Sequence, residues 1–443
     1  MQFNSLQFIF GFLPLFLAVY YIFPPKARNV VLILGSLAFY TFSSSGNYRP
    51  AVLLVLCTVL TFLAGLTLSR PSRGWLLAVY LLLMAALLTF FKVYAGGKHL
   101  PAGMSFYLFQ MAAYLIDVYR LKFLPERNLL AFAGQMTMFP KLLSGPLMNP
   151  RQLQLQCKYI TPSYDEFHEG LQELIVGLGL KVLLANRLGG LWAQPAIIGY
   201  KSISTPAAWL ALIGYAMQLY FDFYGYSMMA IGLGRMLGYS LPRNFNDPYA
   251  AKSVSEFYRR WHVTLGAWFR EYVYFPLGGS RNGKLRTVLN LAVVWLLTGL
   301  WHGVGGNYLL WAGFLCLLII NEHLWMGKLL KKTHVIGRLY TVFVILLSWI
   351  PFAVGDWNQM LVFCGRLFGF CGEALNPRDF ILWGRDYVGI LAAGVVFATP
   401  LPRKIWEKVR YSTAADIVLF VLFWVVVYYI ATAAQDPFLY FQF

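Results

Sequence analysis

The run Thr287-Val-Leu-Asn-Leu-Ala-Val-Val-Trp-Leu-Leu-Thr-Gly-Leu-Trp-His302-Gly-Val-Gly-Gly-Asn307-Tyr-Leu-Leu-Trp-Ala-Gly-Phe-Leu-Cys-Leu-Leu-Ile-Ile-Asn321 holds 35 residues without one Asp, Glu, Lys or Arg. A helix that crosses a hydrocarbon core needs about 20 apolar residues, because every backbone N–H and C=O must pair within the segment. The run is long enough for two short spans, with glycines 303, 305 and 306 between them. Further charge-free runs cover 1–25, 29–48, 50–69, 74–91, 202–221, 339–355 and 417–435. Weaker apolar stretches near 103–118, 129–148, 171–190, 222–234, 357–371 and 386–400 carry isolated charges and read as buried spans, half-spans or re-entrant pieces. Together they predict an all-α, polytopic membrane protein with about ten to twelve membrane-embedded elements.

Composition agrees. Of 443 residues, 12% are charged and 59% hydrophobic, against about 25% charged in soluble domains. A soluble enzyme, a disordered chain and a fibrous repeat are excluded on these grounds. The 36 Lys and Arg against 18 Asp and Glu give a net charge of +18. The basic residues cluster between spans: Lys26 and Arg28 in the first loop, only Arg49 in the second, Arg70 and Arg73 in the third, then 243–286, 328–338 and 403–410. The positive-inside rule makes these loops cytoplasmic and sets the N-terminus outside. The charge is thus a topology signal to which anionic headgroups are sufficient partners, and nucleic acid is not expected. The opening Met1-Gln-Phe-Asn4 lacks a basic n-region, so the first segment is expected to stay as a span. Cys57, Cys157, Cys316, Cys364 and Cys371 form no Cys-x-x-Cys pair, so neither a disulfide frame nor a metal site is expected. No polar linker divides the chain, which reads as one membrane domain over 1–443 with no soluble catalytic domain attached.

Chemistry must then use groups in or at the bilayer. His302 is the one titratable imidazole in the 35-residue run, and an ionisable group at membrane depth is a functional candidate by default. In a low-dielectric setting the ring is expected neutral and able to accept a proton. The bland alternative is a buried histidine hydrogen-bonded to a helix carbonyl. The segment 253–275 carries Val254, Phe257, Tyr258, Trp261, Leu265, Trp268, Phe269 and Tyr272 at helical spacing, with Ser253 and Glu256 placed as a capping box. His262 sits on its polar edge, and an interfacial role explains it by itself. Asp117 is expected to pair with Arg120 three residues on, and Asp222 with a nearby cation or hydroxyl. The chain ends Asp436-Pro-Phe438-Leu-Tyr440-Phe-Gln-Phe443. Such an aromatic cluster reads as an interfacial anchor, although a tyrosine hydroxyl can also accept an acyl group when a base takes its proton.

Seven segments in a fixed order resemble the membrane-bound O-acyltransferase family, in the bacterial branch that acetylates alginate or D-alanylates teichoic acid. They are Gly103-Met-Ser-Phe-Tyr107, Phe139-Pro-Lys-Leu-Leu-Ser-Gly-Pro146, Tyr220-Phe-Asp-Phe-Tyr-Gly-Tyr226, Leu241-Pro-Arg-Asn-Phe-Asn246, Glu256-Phe-Tyr-Arg-Arg-Trp-His262, Tyr274-Phe-Pro-Leu-Gly-Gly279 and Leu300-Trp-His-Gly303. The core motifs span about 100–320, and the terminal aromatic motif lies at 436–443. The resemblance implies a ring of helices around a tunnel, His302 as catalytic base and His262 as a second histidine near the donor. It also implies donor contacts from Arg259, Arg260, Trp261, Trp301 and Asn307. Phe438-x-Tyr440-x-x-Phe443 is similar to a C-terminal signature whose tyrosine is thought to carry the acyl group. Two departures stand out: where the family has serine and aspartate, this chain has Tyr224 and Met228.

What the resemblance implies is acyl transfer across a bacterial cytoplasmic membrane. The expected co-substrate is a cytoplasmic acyl thioester, acetyl-CoA or an acyl carrier protein, with no permanently bound cofactor. The expected acceptor system is an envelope polysaccharide reached through an extracytoplasmic acyltransferase or esterase-like partner. A polysaccharide or lipid transporter would instead predict internal repeats with matched broken helices, and the sequence has none.

Overall fold

A computed structural model describes residues 1–68, 73–94, 100–158 and 162–433. Tyr440 with its terminal motif, and His99, lie outside the described residues. The described chain is helical and contains no strand among those residues. Among the described residues, eight helices are long and apolar enough to cross a membrane: Arg49–Leu68, Gly74–Tyr94, Tyr164–Ile198, Gly283–His302, Gly306–Leu330, His334–Ala353, Asp379–Phe397 and Thr413–Thr432. Gln7–Ile22 is a shorter apolar helix.

The centre is Thr205–Met236, a single 32-residue helix where the sequence suggested two segments meeting at Asp222. The acid does not end the helix because it is paired: Asp222 Oδ1 is 2.6 Å from Lys181 Nζ, with both side chains 1% exposed. This helix runs against Tyr164–Gly179 at backbone contact. A Cβ on Gly232 would lie 2.4 Å from the Gly170 carbonyl oxygen, and one on Gly225 2.7 Å from that of Gly177. Both helices thus carry glycines seven residues apart, two turns, and they close antiparallel on each other as small residues allow in membranes. Gly103, at φ +73°, is a second position that requires glycine, since a Cβ there would meet the Leu142 oxygen at 2.1 Å.

Gly283–His302 and Gly306–Leu330 are the two spans expected from the 287–321 run, joined through Gly303, which breaks the helix with an extended backbone (φ 173°). The first has 20 residues, so His302 ends about 30 Å along the axis from Gly283. The expected salt bridge between Asp117 and Arg120 is not formed. The helix stops at Tyr119 and Leu121 turns the chain with φ +56°. Lys122 then reaches Asp117 Oδ1 at 2.9 Å, Tyr272 donates to Oδ2 at 2.8 Å, and Arg120 faces Glu271 instead.

Candidate active site

The 253–275 segment is not one helix. Ser253 caps Val254–Arg260, its side chain accepting from the Glu256 N–H at 3.1 Å. The capping box is only half formed, because Glu256 accepts from the Lys252 N–H rather than returning to Ser253. The helix then stops, and a second one, Val263–Phe269, starts after His262. His262 stands at φ +46°, ψ 53°, a left-handed conformation uncommon for a residue with a Cβ. The break turns the imidazole away from the polar edge and inward, where it is 4% exposed. Its ring lies 4.7 Å from Phe223 and 6.2 Å from Trp301, and neither ring nitrogen has a hydrogen-bond partner among the described residues.

His302, the last residue of its helix, is 7% exposed. Its ring is boxed by Trp301 at 4.4 Å, Trp311 at 4.9 Å and Phe352 at 5.2 Å. Trp301 packs against both imidazoles, and its carbonyl accepts a hydrogen bond from Lys92. Both histidines line one cavity of about 650 Å³. The cavity runs from His302 past Trp295, Trp311 and Trp349 to a mouth lined by Arg259, Arg270, His323 and Lys328, with Glu322 buried in its wall and accepting from the Val254 and Ser255 N–H groups. Buried hydrogen-bonding atoms without partners among the described residues occur here: besides His262, the indole N–H of Trp311 in the cavity wall and that of Trp301, which packs beside His302 without lining the cavity. Buried polar groups are ordinarily paired, so such a cluster around a void fits a site that completes its bonds with a ligand.

The residues singled out from the sequence divide. His262, His302, Arg259 and Trp261 line the cavity. Arg260 does not; it pairs with Glu256 at 2.6 Å. Asn307 donates to the Pro351 carbonyl at 3.0 Å and ties Gly306–Leu330 to His334–Ala353. Tyr224 and Met228 line a separate cavity. Sequence reading missed Lys92, Arg270, Glu322 and Lys328. Lys92 was legible as the one charge at the end of an apolar span, whereas the others lie on helix ends among further charges that look alike until folded. Among the described residues no group of three or more His, Cys, Asp or Glu is gathered to hold a metal.

Comparison with known proteins places the chain in a family. The family model for the membrane-bound O-acyltransferase family matches residues 69–345. A probable alginate O-acetylase AlgI of Pseudomonas fluorescens is 34% identical over 384 residues, covering 83% of this chain and 75% of that protein. A peptidoglycan O-acetyltransferase of Helicobacter pylori is 31% identical, over 84% of this chain and 81% of its own. A teichoic acid D-alanyltransferase of Streptococcus thermophilus is 25% identical, over 74% and 84%.

Proposed function

The chain belongs to the membrane-bound O-acyltransferase family and is an O-acyltransferase; from that premise we propose that it transfers an acetyl group from a cytoplasmic thioester to a hydroxyl on the far side of the membrane, for an envelope polysaccharide. The observation that carries the reading is one cavity holding two buried imidazoles at depth and cations at its mouth. In this reading the basic end faces the cytoplasm, the N-terminus lies outside, and the membrane is a bacterial cytoplasmic membrane.

The phosphates of acetyl-CoA pair with Arg259, Arg270 and Lys328 through charge-assisted hydrogen bonds. The pantetheine arm passes the tryptophans, and the thioester carbonyl reaches the space between His262 and His302. His302 takes the proton of the acceptor hydroxyl as its oxygen bonds to the carbonyl carbon. His262 donates to the oxygen that becomes negative. When the carbon–sulfur bond breaks, the thiolate leaves with the proton held on His302, so ester and thiol are the products. General-base catalysis contributes about 10²–10⁴-fold and fixed positioning more. Acetyl is favoured over D-alanyl because the O-acetylating relatives are the more similar ones. Tyr440 is the candidate acceptor, from which an extracytoplasmic partner moves the acetyl group to the polymer.

The test is the peptide-level mass of purified protein after exposure to acetyl-CoA, beside His302→Ala and Tyr440→Phe. The expected result is a gain of about 42 Da on the Tyr440 peptide, absent from both variants. Polymer acetylation that persists in the Tyr440→Phe protein returns Tyr440 to an anchor role. Turnover by the His302→Ala protein overturns the assignment of the base.

A further inference from the structure

A second cavity, of about 450 Å³, opens at the basic end between Tyr164–Gly179, Thr205–Met236, the 243–247 loop and the short helix Leu401–Val409. We propose that it binds one membrane phospholipid with an amine in its headgroup, of the phosphatidylethanolamine type. This inference does not rest on the acyl-transfer reading.

The charges at the rim specify the headgroup. Most are already spent on each other: Arg403 is 2.7 Å from Asp247, and Glu169 takes Arg410 at 3.0 Å together with Arg235 and Tyr411. Glu407, half exposed at the mouth, reaches Arg403 only at 4.0 Å, and beside it Arg243 and Glu173 are left less engaged. Arg243, on the exposed loop, has neither ion pair nor side-chain hydrogen bond among the described residues. Among the described residues Glu173 has only a long ion contact, Oε2 to Arg235 Nε at 3.7 Å, and that oxygen has no hydrogen bond. A free cation and an under-used carboxylate on one rim match a phosphate diester with a tethered ammonium. A headgroup of net negative charge would leave Glu173 facing an anion.

Below the rim, two buried atoms wait for partners. Ser227 and Asn244 line the cavity, each 1% exposed, and Ser227 Oγ and Asn244 Nδ2 have no hydrogen-bond partner among the described residues. The other side of the Asn244 amide is used, its Oδ1 accepting from Thr264 Oγ1 at 2.6 Å. An unpaired amide N–H and hydroxyl just under a charged rim suit the ester carbonyls of a glycerolipid. Deeper still the wall is formed by Val176 and Leu180 from one helix and Tyr224 from the other, while Met228 and Ile231 add apolar surface nearer the rim. Glu173 and Leu180 are separated by about 10 Å along their helix, enough depth for part of one acyl chain. The mouth is open to the hydrocarbon side, since Val396, Phe397, Leu401 and Ile405 line it and remain 45–55% exposed. The second chain lies along that side.

The site also has a mechanical connection. Phe245 lines the cavity and packs on Phe223 at 5.1 Å, and Phe223 in turn packs on His262. A lipid there supports the back of the wall that holds His262.

The test is photolabelling of the full chain in vesicles of phosphatidylethanolamine and phosphatidylglycerol, using phosphatidylethanolamine with a diazirine in one acyl chain, followed by peptide mapping. Label is expected to concentrate on 173–180, 227–231 and 401–409, and Met228→Trp should remove it. Purified protein should retain phosphatidylethanolamine over phosphatidylglycerol, with Arg243→Glu and Glu173→Gln each reducing retention about ten-fold, the loss of one charge-assisted contact. If Met228→Trp does not give a monodisperse protein, Ile405→Trp on the peripheral helix replaces it. Label spread evenly over lipid-facing helices such as Gly74–Tyr94, or equal retention of the two lipids, overturns the proposal. Displacement of label by acetyl-CoA also overturns it, because the cavity would then belong to the donor.

Discussion

Replacing Asp222 by asparagine leaves the Lys181 ammonium buried without its counterion. At 2.6 Å and an effective dielectric constant of about 20, the attraction lost is about 6 kcal/mol. Each buried ion also costs several kcal/mol to desolvate, so the intact pair is close to neutral for stability, while breaking it costs about 3–5 kcal/mol. Asn186 Oδ1 accepts from Lys181 Nζ at 2.7 Å and relieves part of that cost, which points to the lower end of the range. The prediction is therefore one of contrast. Asp222→Asn should sharply lower the temperature at which the detergent-solubilised protein loses its monodisperse gel-filtration peak. The double variant Asp222→Leu with Lys181→Met should restore most of it, because neither charge is then buried. The assay compares the wild type, both single variants and the double. If the double variant is as unstable as either single one, the argument that an orphaned charge causes the loss is refuted. Packing around the glycine contacts would then be the better explanation.

His302→Gln keeps side-chain bulk in the aromatic box and should lower kcat about 10²–10⁴-fold with no change in expression; a loss under ten-fold would contradict a base role. Arg259→Ala should raise the KM for the donor about ten-fold and leave kcat close to wild type, the pattern of binding that is uniform along the reaction. An unchanged KM would move the phosphates away from Arg259. Gly232→Ala forces a Cβ to 2.4 Å from the Gly170 oxygen and 2.7 Å from the Leu174 nitrogen, both backbone atoms. The expected loss is about 3 kcal/mol, the upper part of the overpacking range, read as a lower thermal aggregation temperature.

The spans were legible because hydrocarbon admits so few alternatives: a charge-free run of the right length can do little except cross or bury. The same logic singled out His302, the one imidazole inside such a run, and the glycines after it foretold the break between its two helices. Three features were beyond that reading. The stripe from Val254 to Tyr272 keeps its period across His262, so nothing in the spacing announces the backbone reversal there. Asp117 had two basic neighbours, and which one pairs depends on where the helix stops, a matter of the turn at Leu121. Arg259 and Arg260 are adjacent and chemically identical. Only the orientation of their short helix sends one to the cavity and the other to Glu256.

The left-handed backbone at His262 has a consequence for anyone who substitutes it. An L-residue in that region pays about 1 kcal/mol or more unless its side chain is short and polar, as in asparagine. Alanine at 262 therefore alters two things at once, the ring and the comfort of the bend, and a dead variant could be reporting either. Asparagine keeps the bend at ease and removes only the imidazole, so the pair of substitutions together separates chemistry from geometry at a position where an alanine scan by itself would confound them.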